Sequence, residues 1–515
     1  MRRQAQSRFS NWRRLASILL FVCGTGAGGY AASGSLDVVC GTYPGRVLSE
    51  LALYRQSQMQ RVRAGYVPQS ATPPRAIDVG NIAVLPDDGT LVTAMNFFDL
   101  DFWQITLQPE AAGYRISAGA GALDTEAVSR GILLNPPPAS NPQNIGDDGT
   151  REVAIGFPFL FYGTSYERVF INSDGNLTFQ SGDTATSPRN LSRLLAGPPR
   201  IAPYLADLDP SVAGQLSYFS SPTRFVVTWN QVPDWVSSGV GPRETFQVIL
   251  TPGGTVQFTY SSINGRPMTV VGISPGGVTD TPNLVDLNGT DAGALLSGAV
   301  AEIFTVNTQL DLAAVGRAFY QTHEDAYEFV AIFTTFDFDL GGAFAFEINV
   351  SNRVTGLGGA FGAAVFDFSN QFGSSRLESV LNMGNLSRYP ADPAAAFFRG
   401  VDSSLSILAH EAGHRFLAYA TYRDPEGSAN STGLLGRQLA HWSFLSNSDA
   451  SVVEGNRIRD NGNGTFTTVG AVEHYSDVDQ YLMGLRAPEE VGGTFVVKDQ
   501  SSISPSQSPA LNQSF

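Results

Sequence analysis

The pattern of hydrophobic and polar residues changes character along the chain. Residues 46–64 place apolar side chains at a loose helical spacing, which predicts an early helix. From residue 151 onward, short apolar stretches alternate with polar residues and are separated by turns rich in Gly, Pro, Asn and Asp. This alternation is typical of β-strands. Residues 403–422 return to a helical spacing, so we expect a β-rich chain with one important late helix.

The strand pattern is densest between residues 150 and 275. The apolar stretches 157–161 and 169–171 precede the segment 172–176, whose Asp-Gly pair is a hairpin signal. Further alternating stretches follow at 224–229 and 245–250. Several short strands at this spacing predict a β-sandwich.

This region resembles the NIDO-type extracellular domain of nidogen-like and bacterial surface proteins. The resemblance depends on residues 156–159, 161–163, 172–176, 201–204 and 206–209. It implies an extracellular β domain. Within it, two carboxylates of the last segment offer a cation site, although the same residues are typical turn caps.

Proline-rich segments at 67–75 and 135–149 predict linkers between domains. We therefore expect a multidomain chain, with a mainly β N-terminal half that includes a β-sandwich and with an α+β domain after it. The predicted parts are a signal peptide (1–33), a helical segment with its linker (34–75), a small β unit (76–145), a NIDO-like β-sandwich (146–305) and a zincin-like metallopeptidase domain (306–515).

The first residues predict export. A basic segment ends at Arg14, an apolar stretch runs from Leu15 to about Gly28, and small residues follow at 31–33. The apolar stretch is short and interrupted by glycine, so we expect cleavage and no stable membrane span. The chain is therefore predicted to be secreted or held at the cell surface.

Charge and cysteine content narrow the choice of partners. The net charge is −15, and the first 14 residues hold five arginines, so the remainder is more acidic still. Such a surface repels phosphate backbones and excludes nucleic acid as a partner. The chain has two cysteines, and Cys23 lies in the predicted signal, so Cys40 is left without an internal disulfide partner.

One motif carries candidate chemistry. His410 and His414 lie four residues apart on the predicted late helix, so both imidazoles reach the same side. Glu411 lies between them, in the HExxH pattern of zinc sites, where it is the candidate general base. The chain has only five histidines, so this pattern is unlikely to arise by chance. The predicted cofactor is Zn²⁺.

The third protein ligand does not follow from the spacing. Asp479 is favoured because it lies on a second short predicted helix, and His441 and Glu454 are the alternatives. His474 and Tyr481 are candidates for stabilising an oxyanion.

The C-terminal third resembles bacterial secreted zincin-type metallopeptidases. The resemblance depends on residues 327–333, 380–383, 408–414, 434–437, 441–444 and 481–485. It implies zinc, secretion and peptide-bond hydrolysis.

The predicted function is therefore a secreted zinc-dependent metallopeptidase that acts on a protein or peptide substrate, with Glu411 as general base for a zinc-activated water. The alternative is an extracellular adhesion or binding protein with a degenerate metal domain. A zinc hydrolase of non-peptide bonds is a third possibility. The oligomeric state is left open.

Overall fold

The computed structural model describes most of the chain beyond residue 39 and a short stretch before it. The described residues are 19–23, 40–43, 45–63, 77–87, 89–111, 113–135, 144–186, 189–264, 268–277, 282–289, 293–306, 308–338, 340, 342–355, 365–425, 427, 429–498, 504 and 511–515. The predicted signal peptide and the linker at 67–75 lie outside them, apart from residues 19–23.

Strands dominate the described residues. The first eighteen are β1 (Leu19–Cys23), β2 (Ile77–Val79), β3 (Ile82–Pro86), β4 (Trp103–Glu110), β5 (Gly113–Ala120), β6 (Ile132–Leu133), β7 (Thr150–Phe161), β8 (Thr164–Asn172), β9 (Asn176–Thr178), β10 (Arg200–Leu205), β11 (Gln215–Ser220), β12 (Phe225–Pro233), β13 (Arg243–Leu250), β14 (Val256–Ser262), β15 (Met268–Ser274), β16 (Asn283–Leu284), β17 (Leu295–Leu296) and β18 (Val300–Thr305). The next eight are β19 (Phe329–Thr334), β20 (Phe346–Asn349), β21 (Ser351–Asn352), β22 (Phe366–Asp367), β23 (Ser379–Asn385), β24 (Trp442–Asn447), β25 (Glu454–Asp460) and β26 (Phe466–Gly470).

The α-helices are short apart from the first. They are α1 (Arg46–Arg63), α2 (Thr125–Arg130), α3 (Leu191–Leu195), α4 (Leu312–Tyr320), α5 (Ser404–Gly413) and α6 (Asp477–Leu482). The predicted early helix is confirmed as α1. Across the described segments, no helix has both the length and the apolar character needed to cross a bilayer.

The chain divides into two compact units. The mixed unit comprises residues 1–50, 68–93 and 309–515, and the β unit comprises residues 51–67 and 94–308. Each is described by itself below.

The β unit is a sandwich of two sheets. One sheet has the order β16-β18-β15-β10-β9-β8-β7, and the other has the order β17-β5-β4-β14-β13-β12-β11-β6. Its core draws large apolar side chains from both sheets, including Phe159 of the first and Trp229 of the second. The predicted β-sandwich is therefore present in this unit.

The predicted division near residue 145 differs from this arrangement. Strand β4 pairs with β14, with Leu107 opposite Val256 and Ile105 opposite Phe258. Residues on both sides of the proline-rich segment therefore contribute to one sheet. Long-range pairing of this kind leaves no mark on the local sequence pattern, whereas the proline-rich segment does.

The hairpin between β8 and β9 follows the predicted Asp-Gly turn. Gly175 has φ +65°, and a Cβ added there would lie 1.9 Å from the carbonyl oxygen of Tyr204. Glycine therefore satisfies both the backbone conformation and the close approach of β10.

The mixed unit contains a six-stranded sheet of order β2-β3-β1-β19-β23-β20. Strand β1 runs parallel to β3 and to β19, and β19 runs parallel to β23, whereas β20 is antiparallel to β23. Helix α5 packs on this sheet through Ile407, which joins a core that includes Phe333, Leu381 and Met383.

Helix α5 is shorter than the predicted helix 403–422. It ends at Gly413, and the chain beyond it adopts turns, with Tyr419 at positive φ. Within the helix, Leu405 is 54% exposed, whereas Ile407 is buried. The apolar residues after Gly413 pack in a separate cluster with Trp442 and Val453 rather than extending the helix.

Three strands lie near the C-terminal end. Strands β24 and β25 pair in parallel, and β25 and β26 form an antiparallel hairpin around residues 461–465. Gly462 and Gly464 both adopt positive φ in this turn. The described parts of both units are mainly β with few helices, which supports the broader prediction of a β-rich multidomain protein, whereas a zincin-like α+β domain is not shown.

Candidate functional site

Two predicted metal ligands lie at the C-terminal end of helix α5. The hydroxyl of Ser403 accepts a hydrogen bond from the backbone N–H of Ser406 (3.1 Å), and the hydroxyl of Ser406 accepts one from the N–H of Ser403 (2.8 Å). This reciprocal cap sets the start of the helix. His410 lies in the last turn of the helix and His414 directly follows its last residue, and the centroids of their buried rings lie 4.8 Å apart.

Gly413 lets a neighbouring segment approach this face. A Cβ added at Gly413 would lie 2.9 Å from Cγ2 of Val453 and 3.2 Å from Cε1 of Tyr475. The close approach brings the carbonyl oxygen of Val452 to 2.7 Å from Nδ1 of His410. The glycine therefore has a packing role that offsets its cost of about 1 kcal/mol inside a helix.

His441 completes a trio of imidazoles. Its ring centroid lies 5.2 Å from that of His410 and 4.7 Å from that of His414. Its Nδ1 lies 3.0 Å from the carbonyl oxygen of Arg437, and Nδ1 of His414 lies 3.1 Å from the carbonyl oxygen of Leu417. Each of the three rings therefore directs Nδ1 at a backbone carbonyl and Nε2 towards the other rings.

Cys40 joins the cluster from the opposite end of the sequence. The N–H of Gly41 donates to the carbonyl of Ala345 (3.0 Å), and the hydroxyl of Thr42 accepts from the N–H of Glu347 (2.7 Å). These bonds hold residues 40–42 against β20, in the same unit as α5.

The thiol lies directly beside the imidazoles. Sγ of Cys40 is 3.4 Å from Nε2 of His414, and Nε2 of His414 is 3.1 Å from Nε2 of His410. One donor atom from each of Cys40, His410, His414 and His441 lies within 4.8 Å of the other three, and all four residues are buried. This is a donor set typical of zinc.

Glu411 faces Cys40 and Thr42. Its Oε2 accepts hydrogen bonds from the thiol of Cys40 (3.3 Å) and from the hydroxyl of Thr42 (3.2 Å). These hydrogen bonds favour the charged carboxylate and lower its pKa. Burial has the larger, opposite effect and raises the pKa of Glu411 to about 8.

Burial also shifts the pKa values of the other groups of the cluster. It lowers the pKa of His410, and it lowers the pKa values of His414 and His441 well below the usual value, so the rings are neutral. Burial and the Glu411 carboxylate raise the pKa of the Cys40 thiol.

Asp479, the favoured third ligand, is placed elsewhere. Its Oδ1 accepts from Nε1 of Trp442 (2.7 Å), and its Oδ2 accepts from the backbone N–H of Ser476 (2.7 Å) at the start of α6. The carboxylate therefore anchors the residue next to His441 in the chain. The structure brings His441, and not Asp479, to the histidine pair.

The remaining candidates have other partners. Glu454 is buried and pairs with the guanidinium of Arg437. His474 is largely exposed and contacts Asp449, with Nε2 3.3 Å from Oδ2. Tyr481 is 42% exposed on α6. None of the three belongs to the donor cluster found in the described part of the chain.

Cys40 and Thr42 were not among the predicted site residues. They precede Glu411 by 371 and 369 residues, and no periodicity or spacing links them to α5. The available signal was the isolation of Cys40 after removal of the predicted signal peptide, together with an HExxH motif that lacked its third ligand.

A second feature is a group of acidic side chains around Arg189 in the β unit. The guanidinium of Arg189 pairs with Asp148, Asp174 and Asp207 at distances of 2.5, 2.9 and 3.0 Å. Burial, followed by neighbouring carboxylates that include Asp148, raises the pKa of Asp147 to about 6. Burial likewise raises the pKa of Asp207 to about 6.

The two carboxylates suggested as a cation site have protein partners. Asp207 pairs with Arg189. Oδ1 of Asp209 accepts from the backbone N–H and from the hydroxyl of Ser211 (2.8 and 2.5 Å), which is the turn-capping role.

An exposed apolar loop lies beside these carboxylates. It connects β12 to β13, and residues 235–240 are all exposed, including Trp235, Val236 and Val240. The backbone N–H of Trp235 donates to the carbonyl of Asp207 (2.8 Å), which fixes the loop against the acidic segment. We call residues 235–240 with Asp147, Asp148 and Asp207 the Trp235 surface.

Comparison with known proteins finds similarity in one region of the chain. Residues 115–320 match the family model described as NIDO related. Alpha-tectorin of Mus musculus and of Homo sapiens is 25% identical over 205 residues, which cover 34% of this chain and 10% of each relative. Alpha-tectorin of Gallus gallus is 24% identical over 191 residues, or 32% of this chain and 9% of that protein. The chain spans about a tenth of the length of these relatives. No solved structure matches it.

These matches change the functional reading. The predicted NIDO-like domain is supported, and the protein is extracellular. The prediction of a zinc metallopeptidase is wrong, because the relatives are alpha-tectorin, a non-enzymatic protein of the extracellular matrix, and no peptidase family matches. In the structure, the carboxylate of Glu411 accepts hydrogen bonds from the Cys40 thiol and the Thr42 hydroxyl.

Proposed function

We propose that this protein binds another protein in the extracellular space through the Trp235 surface of its β unit. The observation that carries the proposal is the likeness of residues 115–320 to the NIDO-related family and to alpha-tectorin. All residues of the Trp235 surface lie within this range.

The chemistry of the surface favours a protein partner. Trp235 is 46% exposed, and Val236 and Val240 are exposed beside it. An exposed tryptophan next to apolar residues is typical of the residues that dominate binding energy at protein interfaces. The backbone bond from Trp235 to Asp207 holds the loop before binding, which reduces the ordering cost.

The neighbouring carboxylates define the charge of the partner. Asp147, Asp148 and Asp207 share Arg189 as their nearby cation, so the surface is negative. A second copy of this chain would bring like charges together at this surface. We therefore infer that the partner is a different protein, with basic residues around an apolar patch.

The test measures affinity with two matched variants. Extracellular proteins of the producing cells are purified individually, and the affinity of the full chain for each is measured by surface plasmon resonance. Trp235→Ala should weaken binding at least about tenfold, which corresponds to about 1.4 kcal/mol. Leu160→Ala is the control, because Leu160 has the same exposed fraction, 46%, on strand β7.

Two results would contradict the proposal. One is equal affinity of the wild type and the Trp235→Ala variant for the same partner. The other is that Leu160→Ala weakens binding as much as Trp235→Ala, which would place the contact elsewhere on the β unit.

A further inference from the structure

We propose that Cys40, His410, His414 and His441 form a closed, four-coordinate zinc site with a structural role, in which zinc fastens residues 40–42 to helix α5. The site lies in the mixed unit and uses none of the residues of the Trp235 surface. The two proposals therefore succeed or fail independently.

The donor spacing fits a tetrahedral ion. Zinc bonds of about 2.0–2.1 Å to nitrogen and about 2.3 Å to sulfur place tetrahedral donors about 3.3 Å apart for two nitrogens and about 3.6 Å apart for nitrogen and sulfur. The observed separations are 3.1 Å between Nε2 of His410 and Nε2 of His414, and 3.4 Å between Sγ of Cys40 and Nε2 of His414. These two separations are close to the tetrahedral values, and all four donor atoms lie within 4.8 Å of one another.

The protonation of the three histidine rings also favours a bound metal ion. A carbonyl oxygen only accepts hydrogen bonds, so the Nδ1 atoms that face Val452, Leu417 and Arg437 carry the protons. The Nε2 lone pairs of His410 and His414 then face each other across 3.1 Å, which is unfavourable without a cation between them. Backbone carbonyls that fix metal-binding imidazoles in this way are a common feature of zinc sites.

His441 provides an independent observation. It is fully buried, and its Nε2 has no hydrogen-bond partner among the described residues. Leaving a buried acceptor unsatisfied costs about 1–3 kcal/mol. Coordination of a metal ion together with the other three donors satisfies it.

The thiol makes the site structural. Catalytic zinc sites keep one position for water, whereas structural sites fill all four positions with protein ligands. Loading releases the thiol proton to solvent, forms the Zn–S bond and leaves a thiolate that accepts from the backbone N–H of Thr42, now 3.2 Å from Sγ. The zinc then links segments separated by more than 370 residues.

The experiment uses the purified full chain. Metal analysis should find one zinc per chain in the wild type, and X-ray absorption at the zinc edge should find one sulfur at about 2.3 Å with nitrogens at about 2.0–2.1 Å. Zinc bound without a sulfur neighbour would overturn the role of Cys40. A chain that takes up no zinc after incubation with the metal alone would overturn the site.

Matched variants test the ligands one by one. Cys40→Ser and His441→Gln should each weaken zinc binding at least about tenfold. His474→Gln should bind like the wild type, because His474 lies outside the cluster and contacts Asp449. In the cobalt-substituted wild type, a thiolate-to-metal charge-transfer band should appear, and Cys40→Ser should abolish it. Retention of this band in Cys40→Ser would contradict the proposal, and the zinc-edge spectrum of the wild type decides the question if a variant fails to fold.

Discussion

Glu302 in the β unit shows how burial outweighs hydrogen bonding at a single residue. Its carboxylate accepts from the backbone N–H of Leu287 (2.8 Å) and from Nδ2 of Asn96 (3.1 Å), and both bonds favour the charged form. Burial nevertheless raises the pKa of Glu302 to about 8. At neutral pH the folded protein therefore carries a proton here that the unfolded chain has lost.

This residue predicts a pH dependence of stability. Because the folded pKa lies above the unfolded value of 4.5, the contribution of Glu302 is fully present below about pH 4.5 and is lost as the pH rises through about 8. Glu302→Gln removes this titration. With one acceptor instead of two, the variant should be about 1 kcal/mol less stable than the wild type at pH 5. The order should reverse by pH 9, because only the wild type loses stability as the pH rises through about 8.

Urea unfolding at a series of pH values measures this gap, with Asp460→Asn, at an exposed site in the other unit, as the control. A constant gap between the wild type and Glu302→Gln from pH 5 to pH 9 would mean that the carboxylate does not change its protonation on folding.

The sequence predicted His410 and His414 as metal ligands, named His441 as an alternative third ligand, and missed Cys40. His410 and His414 are related by one helical turn, which is a local property. The choice of His441 over Asp479 depends on where β24 and α6 lie, and the carboxylate of Asp479 is used by Trp442 and Ser476. Cys40 depends on the pairing of residues 40–42 with β20, which no local pattern contains.

At the element scale, two glycines in hairpins of the β unit distinguish the cost of backbone strain from the cost of a steric clash. Gly163 and Gly175 both lie at positive φ in tight turns, at +80° and +65°. A Cβ at Gly163 meets nothing within 4 Å, whereas a Cβ at Gly175 would lie 1.9 Å from the carbonyl oxygen of Tyr204. Only the second glycine is required by packing as well as by conformation.

This pair predicts unequal effects of the same substitution. Gly163→Ala should cost about 1 kcal/mol from backbone strain alone. Gly175→Ala should cost about 3 kcal/mol or more, because β10 must also move away from the turn. Thermal unfolding compares the two variants, and equal losses would show that the hairpin relaxes freely and that the contact with Tyr204 does not restrain it.

Element prediction succeeded where the pattern was local and failed where it was not. Alternation and the Asp-Gly turn predicted the strands around Gly175. The end of α5 was misplaced, because the apolar residues after Gly413 continue a helical stripe in sequence but pack with Trp442 and Val453 in the structure. The pairing of β4 with β14 joined segments that a proline-rich stretch had suggested were separate.

At the scale of the whole molecule, the acidic character of the chain predicts a pH-dependent affinity. Asp147 and Asp207 on the Trp235 surface both have a pKa of about 6. As the pH falls from 7.5 to 5, they take up protons, and the attraction for a basic partner decreases. We expect affinity to fall severalfold over this range.

Asp207→Asn tests the source of this dependence. The variant should bind more weakly than the wild type at pH 7.5 and should show a smaller loss of affinity at pH 5. Leu160→Ala is again the control and should follow the wild type. Affinity that rises on acidification would contradict a basic partner.

The most direct measurement of the proposed function is a hydrogen-exchange footprint of the full chain with and without its bound partner. Binding should slow exchange of the backbone amides at residues 235–240 and in the adjoining segment 207–212, and should leave β7 around Leu160 unchanged. Protection confined to another surface of the chain, with residues 235–240 exchanging as fast as in the free protein, would contradict the account.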